Sequence, residues 1–193
     1  MSETMKAEAA GSTASGAAEA AAGAVTGERA DLLAVLAQHR HFLRVTTRDL
    51  TDEQARQRTT VSELCLGGLI KHVSAGERGW TDFIVAGPSA LGDATAMTEA
   101  DWERRADEFR LLPGETLAGV LEAYEQQARA TDELIAALPD LDVSHPLPQA
   151  PWFEPGARWS ARRVLLHIIA ETAQHAGHAD IIRESLDGAK TMG

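Results

Sequence analysis

Between Ser160 and Glu184 the chain carries His167, Glu171, His175 and His178. At helical spacing these four fall within roughly 80° of arc. Val164 and Ile182 share that arc, so the stripe is expected to face the interior of a helical assembly and not solvent. Four titratable groups on a buried face are too costly unless they are paired or ligate something, and imidazole with carboxylate is a donor set for a divalent metal. Spacing narrows the choice. His167 and His175 lie roughly 12 Å apart along the helix axis and cannot share one ion. Neighbours four apart, roughly 6 Å, can converge, which leaves His167/Glu171, Glu171/His175 and the closer His175/His178. A single ion then needs a third ligand from another helix. His72 is the natural candidate, with Leu69, Val73, Gly76 and Trp80 near its face. Glu77 lies roughly 140° further round and is expected to point elsewhere. One histidine on an apolar face is more often a satisfied core group than a ligand, whereas Glu171 and three histidines on one arc, with a fourth on another helix, favour a metal.

These side chains need long helices to hold them. Leu32, Val35, Leu36, His39, Phe42, Leu43 and Thr46 recur at steps of three and four, which predicts an amphipathic helix from Glu28 to about Leu50. A polar connection with a short helical turn follows to Ser62. A second helix is expected from about Glu63 to Val85, stopped by Gly87-Pro88. Its glycines at 67, 68, 76 and 79 weaken it by up to about 1 kcal/mol each; close helix approach, room for a ligand and simple tolerance all account for them. Residues 87–113 read as a long connection with a short helix near Glu99 to Glu108. The third long helix starts after Thr116 and ends at Pro139. Five prolines between 139 and 158, with Trp152 and Phe153, exclude helix and central strand there. The fourth helix opens at Ser160 and stops at Gly188. No period-two alternation is visible, so no sheet is expected. The fold class is all-α, a four-helix bundle with long connections. Residues 1–26, nearly all Ala, Gly, Ser, Thr and Glu, are expected to be a disordered leader, and residues 27–193 one domain.

Composition excludes several functions. With 29 acidic against 18 basic residues the net charge is −11, which repels nucleic acid and anionic membrane. No apolar run is long enough to span a bilayer, and the first residues lack a secretory signal. A single cysteine, Cys65, offers no disulfide framework, so the cytoplasm is the expected compartment. Cys65 sits among Leu64, Leu66 and Leu69 and is expected to be buried and inert.

Three runs carry a resemblance: Leu66-Gly-Gly-Leu-Ile-Lys-His72, Glu77-Arg-Gly-Trp80, and Glu171-Thr-Ala-Gln-His-Ala-Gly-His-Ala-Asp-Ile-Ile-Arg-Glu184. Over roughly residues 27–188 the chain resembles the DinB-like superfamily, in particular its actinobacterial branch related to mycothiol-dependent S-transferases. Most members carry two histidines four apart on the last helix; that register puts Glu171 at the first of these positions and His178 where most have Gln. The resemblance thus implies His72, Glu171 and His175 as metal ligands, with His167 and His178 as neighbouring pocket groups. It implies a divalent cofactor, zinc before nickel or another ion, and a low-molecular-weight thiol such as mycothiol delivered to an electrophilic small molecule, in the manner of detoxification. Trp80, Arg40, Asp180 and Arg183 are candidates to reach a substrate, with a surface ion pair or rim packing as the favoured reading for each. No catalytic side chain is expected beyond the metal site. A thiol-assisted isomerase, a metal hydrolase of the same fold and a non-catalytic metal- or ligand-binding bundle stay open, as does the choice between monomer and homodimer.

Overall fold

The computed structural model describes residue 25 and residues 27–191. The leader expected over residues 1–26 therefore lies outside the described residues, apart from position 25. Four long helices form the body: α1 (Glu28–Val45), α3 (Leu66–Ala86), α5 (Leu117–Ala137) and α6 (Ala161–Asp187). Short helices α2 (Asp52–Arg56) and α4 (Glu99–Asp107) lie in the connections. α1 packs on α6, α6 on α3, α3 on α5, and α5 closes back on α1, as the all-α bundle requires. No described helix is long and apolar enough to cross a membrane.

Local chemistry sets the ends. α1 stops at Val45, short of the expected Leu50, because the Thr46 and Thr47 hydroxyls donate to the carbonyls of Leu43 and Arg44, and Asp49 then adopts φ 60°. Such hydroxyl bonds compete with the helical ladder. Thr51 with Gln54 and Thr98 with Asp101 form capping boxes on α2 and α4. Thr116 and Ser160 cap α5 and α6 by accepting from the backbone N–H groups of Gly119 and Arg163. Gly188, at φ 80°, terminates α6.

One expectation is corrected. Strands β1 (Ser144–Pro146) and β2 (Arg158–Ser160) pair antiparallel, with His145 opposite Trp159. Three residues are too few to show an alternating pattern, and in a two-stranded ribbon every strand is an edge, so Pro146 is tolerated. The ribbon folds the proline-rich connection back against the helices and leads directly into α6.

The core has two apolar blocks. One contains Leu36, Phe83, Ile135, Val164, Leu165 and Ile168; the other contains Leu43, Leu69, Ile70, Tyr124, Ala179 and Ile182. In sequence on each helix, buried polar residues fall between them: Arg40 on α1, Glu77 on α3, Gln127 and Thr131 on α5, and Thr172 on α6. Arg40 donates to both carboxylate oxygens of Glu77 and to Asp132, and Thr131 donates to Glu77. Burial works against the Arg40 charge, but Glu77 and Asp132 outweigh it and hold its pKa above the ordinary value.

Candidate metal centre

Of the polar stripe of α6, His167, Glu171 and His175 line a side cleft against α3, and His178 lies next to His175 outside that lining. The stripe does not face the bundle interior, which corrects the expectation from helical phase. Thr172, Ala176 and Ala179 take the core line, while His167, Glu171, His175 and His178 stand half-buried beside it. Partial exposure is what a site open to small molecules needs.

Across the cleft, His72 on α3 meets the stripe. One ligand atom from each of His72, Glu171 and His175 lies within 4.8 Å of the others. The side chains of His72 and His175 are 14% and 12% exposed, whereas Glu171 is 44% exposed, so the carboxylate marks the open side. The His72 and His175 rings meet edge-on at 5.0 Å, and His175 Nε2 lies 3.7 Å from Glu171 Oε2. His72 Nδ1 is buried without a hydrogen-bond partner among the described residues, with Glu108 Oε2 at 3.8 Å. An orphaned buried nitrogen beside a second imidazole and a carboxylate fits a divalent ion. Two nitrogens and one oxygen also leave a coordination position for a ligand.

Burial first, and then the neighbouring His72, lower the proton affinity of His175 against the opposing pull of Glu171. Burial likewise lowers that of His167. Both imidazoles are therefore neutral near pH 7, the state that donates a lone pair. His178 Nδ1 approaches His175 Nδ1 at 3.4 Å, a contact that can orient the His175 ring from behind.

The connections roof this cleft. Phe109 stacks on His72 at 3.9 Å. Its backbone can come this close because α3 has no side chain at Gly68: a Cβ there would stand 1.9 Å from Phe109 O. Gly76 meets nothing within 4 Å and lines the cavity. The glycines thus divide between close approach and ligand space. Trp80 stacks on Trp159 at 4.9 Å and meets His167 edge-on at 4.8 Å, while Arg163 lies over the Trp159 ring. The main lobe holds about 360 Å³ and contains the triad, Trp80, Phe109, Phe153, His167 and Thr172. Glu77 also reaches its wall, contrary to the expectation that it points elsewhere, but its carboxylate is occupied by Arg40 and Thr131. A broader depression of about 710 Å³ beside the turn after α1 is lined by His41, Asp49 and Asp52 among others, but these are not among the described residues whose ligand atoms converge as those of His72, Glu171 and His175 do.

The remaining expected residues divide. Trp80 and His167 line the cleft. Arg40 does not: its guanidinium is buried against Glu77 and Asp132. Asp180 accepts from the backbone and hydroxyl of Thr191, and Arg183 binds Asp187 and the carbonyls of Thr46 and Arg48. Both are engaged away from the cleft lining. Cys65 is buried and unpaired. Residues not foreseen are Phe109, Arg105 and Glu108 from one connection and Trp152 and Phe153 from the other. The Trp-Phe pair in a proline-rich run was the available signal, since two large aromatics in a loop need something to cover.

Comparison with known proteins gives a family. The model of the mycothiol-S-transferase family matches residues 31–188, a span that includes all four long helices except the first three residues of α1. No curated protein and no solved structure matches the chain. The chain belongs to the mycothiol-S-transferase family.

Proposed function

We propose that this protein joins a low-molecular-weight thiol of the mycothiol type to an electrophilic small molecule, using a divalent metal, zinc first among the ions to test, held by His72, Glu171 and His175. The observation that carries the reading is the convergence of these three side chains in a cleft open to solvent, in a chain of this family. A metal bound there supplies Lewis acidity that favours a thiolate over a thiol, and the thiolate is the nucleophile.

The chain's own residues supply the rest. In this reading His167, kept neutral by burial and lining the cavity outside the triad, takes the thiol proton on a ring nitrogen. Phe109 covers the His72 ring and Trp80 the His167 ring, which keeps water from these faces of the cleft and strengthens charge interactions beside them. The sulfur forms its bond to the electrophilic carbon as the leaving group departs with its electron pair, or as an electron-poor double bond accepts the new bond and then a proton. The reading includes a detoxifying role in the cytoplasm.

Two measurements test it together: elemental mass spectrometry of untagged protein purified without chelator, and thiol consumption with an electrophile. About one divalent ion per chain and metal-dependent thiol loss above the buffer rate are expected. Protein that takes up no divalent ion on reconstitution, or thiol loss unaffected by chelation, would overturn it.

A further inference from the structure

Beside the triad lies a second lobe of about 310 Å³. It shares His72, Gly76, Trp80, Arg105, Trp152 and Phe153 with the first, so the two are continuous. One wall of it is apolar, with the small residues Ala75, Gly79 and Ala90 beside Leu91. Arg105 on α4 and Trp152 on the proline-rich connection line both lobes and also the outer depression that follows them. They stand on different connections, at the mouth of one cleft.

Each is unusual for its place. Trp152 is 60% exposed, and its described aromatic contact is an edge-on approach to Phe153. Arg105 makes no ion pair among the described residues, whereas its neighbours Arg104 and Arg110 pair with Asp101 and Asp107. It is also the one cation in the lining of the two lobes. Of the acidic groups in the two linings, Glu77 is bound by Arg40 and Glu171 belongs to the triad, while Glu108 stands 3.8 Å from His72 Nδ1 with no hydrogen bond between them. A chain of net charge −11 repels anions at long range, so an uncommitted guanidinium beside an exposed indole is a local exception to its field.

We infer that Arg105 and Trp152 form a clamp selecting an electrophile with a flat apolar body and one anionic group: the body lies against Trp152 beside the small-residue wall, and its carboxylate or equivalent anion is held by Arg105. The clamp deepens the S-transfer reading by naming the class of acceptor, and it rests on that reading only for the acceptor's reactivity. Arg suits the role because its planar fork matches a carboxylate and it retains its charge.

The test uses unreactive probes, so binding is read apart from turnover. 4-Nitrobenzoate and 4-nitrobenzamide have the same flat body and differ in charge. Binding of each to the full chain is followed by calorimetry and tryptophan quenching, with zinc and again after its removal. The benzoate should bind about fivefold tighter than the amide, within the range of a partly exposed ion pair. Arg105→Gln should erase that preference and leave the amide unchanged, while Trp152→Ala should weaken both probes alike. A preference that disappears with the metal and ignores Arg105→Gln would place the carboxylate on the ion and overturn the clamp. So would equal binding of the two probes, or no binding of either. If the clamp behaves as expected while thiol consumption fails, the transferase reading fails alone.

Discussion

Gly68→Ala and Gly76→Ala make the same chemical change eight residues apart on α3, and the structure assigns them opposite signs. Each adds a methyl to a helical residue, worth about 1 kcal/mol in helix propensity at position 76 in the interior and at most that at position 68, the third residue of α3. At position 76 the new Cβ meets nothing within 4 Å, so the gain is kept and the melting temperature should rise by about 2–4 °C for a domain of this size. At position 68 the Cβ would lie 1.9 Å from Phe109 O, 2.3 Å from Phe109 C and 2.8 Å from Arg110 N. All three are backbone atoms, so no side-chain rotation relieves the clash. Overpacking costs about 1–3 kcal/mol and more where backbone must move; at the upper end, less the propensity gain, the net loss is about 2 kcal/mol, a fall of about 4–8 °C. The site should respond differently as well. Moving Phe109 takes its ring off His72, so Gly68→Ala should weaken zinc binding. Gly76→Ala should keep zinc but reduce binding of small molecules in the cavity it lines. Thermal melts of the metal-free and zinc-loaded variants, with zinc competition against a chelating dye, read both effects. Gly68→Ala melting at or above the parent would refute the close approach on which the roof of the site depends.

Further consequences are open to measurement. Because burial lowers the proton affinities of His167 and His175, the unfolded chain takes up protons that the folded chain refuses. The metal-free protein should therefore keep this contribution above about pH 6.5 and lose it as pH falls through the lowered folded values; a urea midpoint flat from about pH 8 to about pH 5 would contradict the burial. Glu77→Ala leaves the Arg40 charge buried beside a single remaining carboxylate and should cost about 3–5 kcal/mol, whereas a loss below about 1 kcal/mol in a denaturant titration would mean that water already reaches the polar layer. Glu171→Ala should lower metal affinity about tenfold or more and abolish activity. His145→Ala, which removes a contact to the Ile84 carbonyl, should leave metal content intact; full metal retention by Glu171→Ala would shift the ligand role toward His175 and His178.

The sequence alone determined the helices and the membership of the α6 stripe. Both follow from local rules, namely apolar residues at steps of three and four, caps at Thr116 and Ser160, and the fixed angle between successive residues. Spacing on α6 left His167/Glu171, Glu171/His175 and His175/His178 open with His72 as the partner from a second helix; the set His72, Glu171 and His175 was implied by the family resemblance, and its convergence is a contact between two helices. Tertiary structure decided what depends on contacts distant in sequence. Phase on one helix cannot tell a core line from its edge, so only packing shows that Thr172 faces inward while His175 faces a cleft. Arg40 has the same side chain whether it meets a substrate or Glu77, and the fold chose Glu77 because a buried guanidinium needs a carboxylate. The placement of Arg105, Phe109 and Trp152 lies furthest from sequence reasoning. Their connections carry little periodic signal of their own and are positioned by the absent side chain at Gly68 and by the pairing of His145 with Trp159, both contacts between segments far apart in the chain.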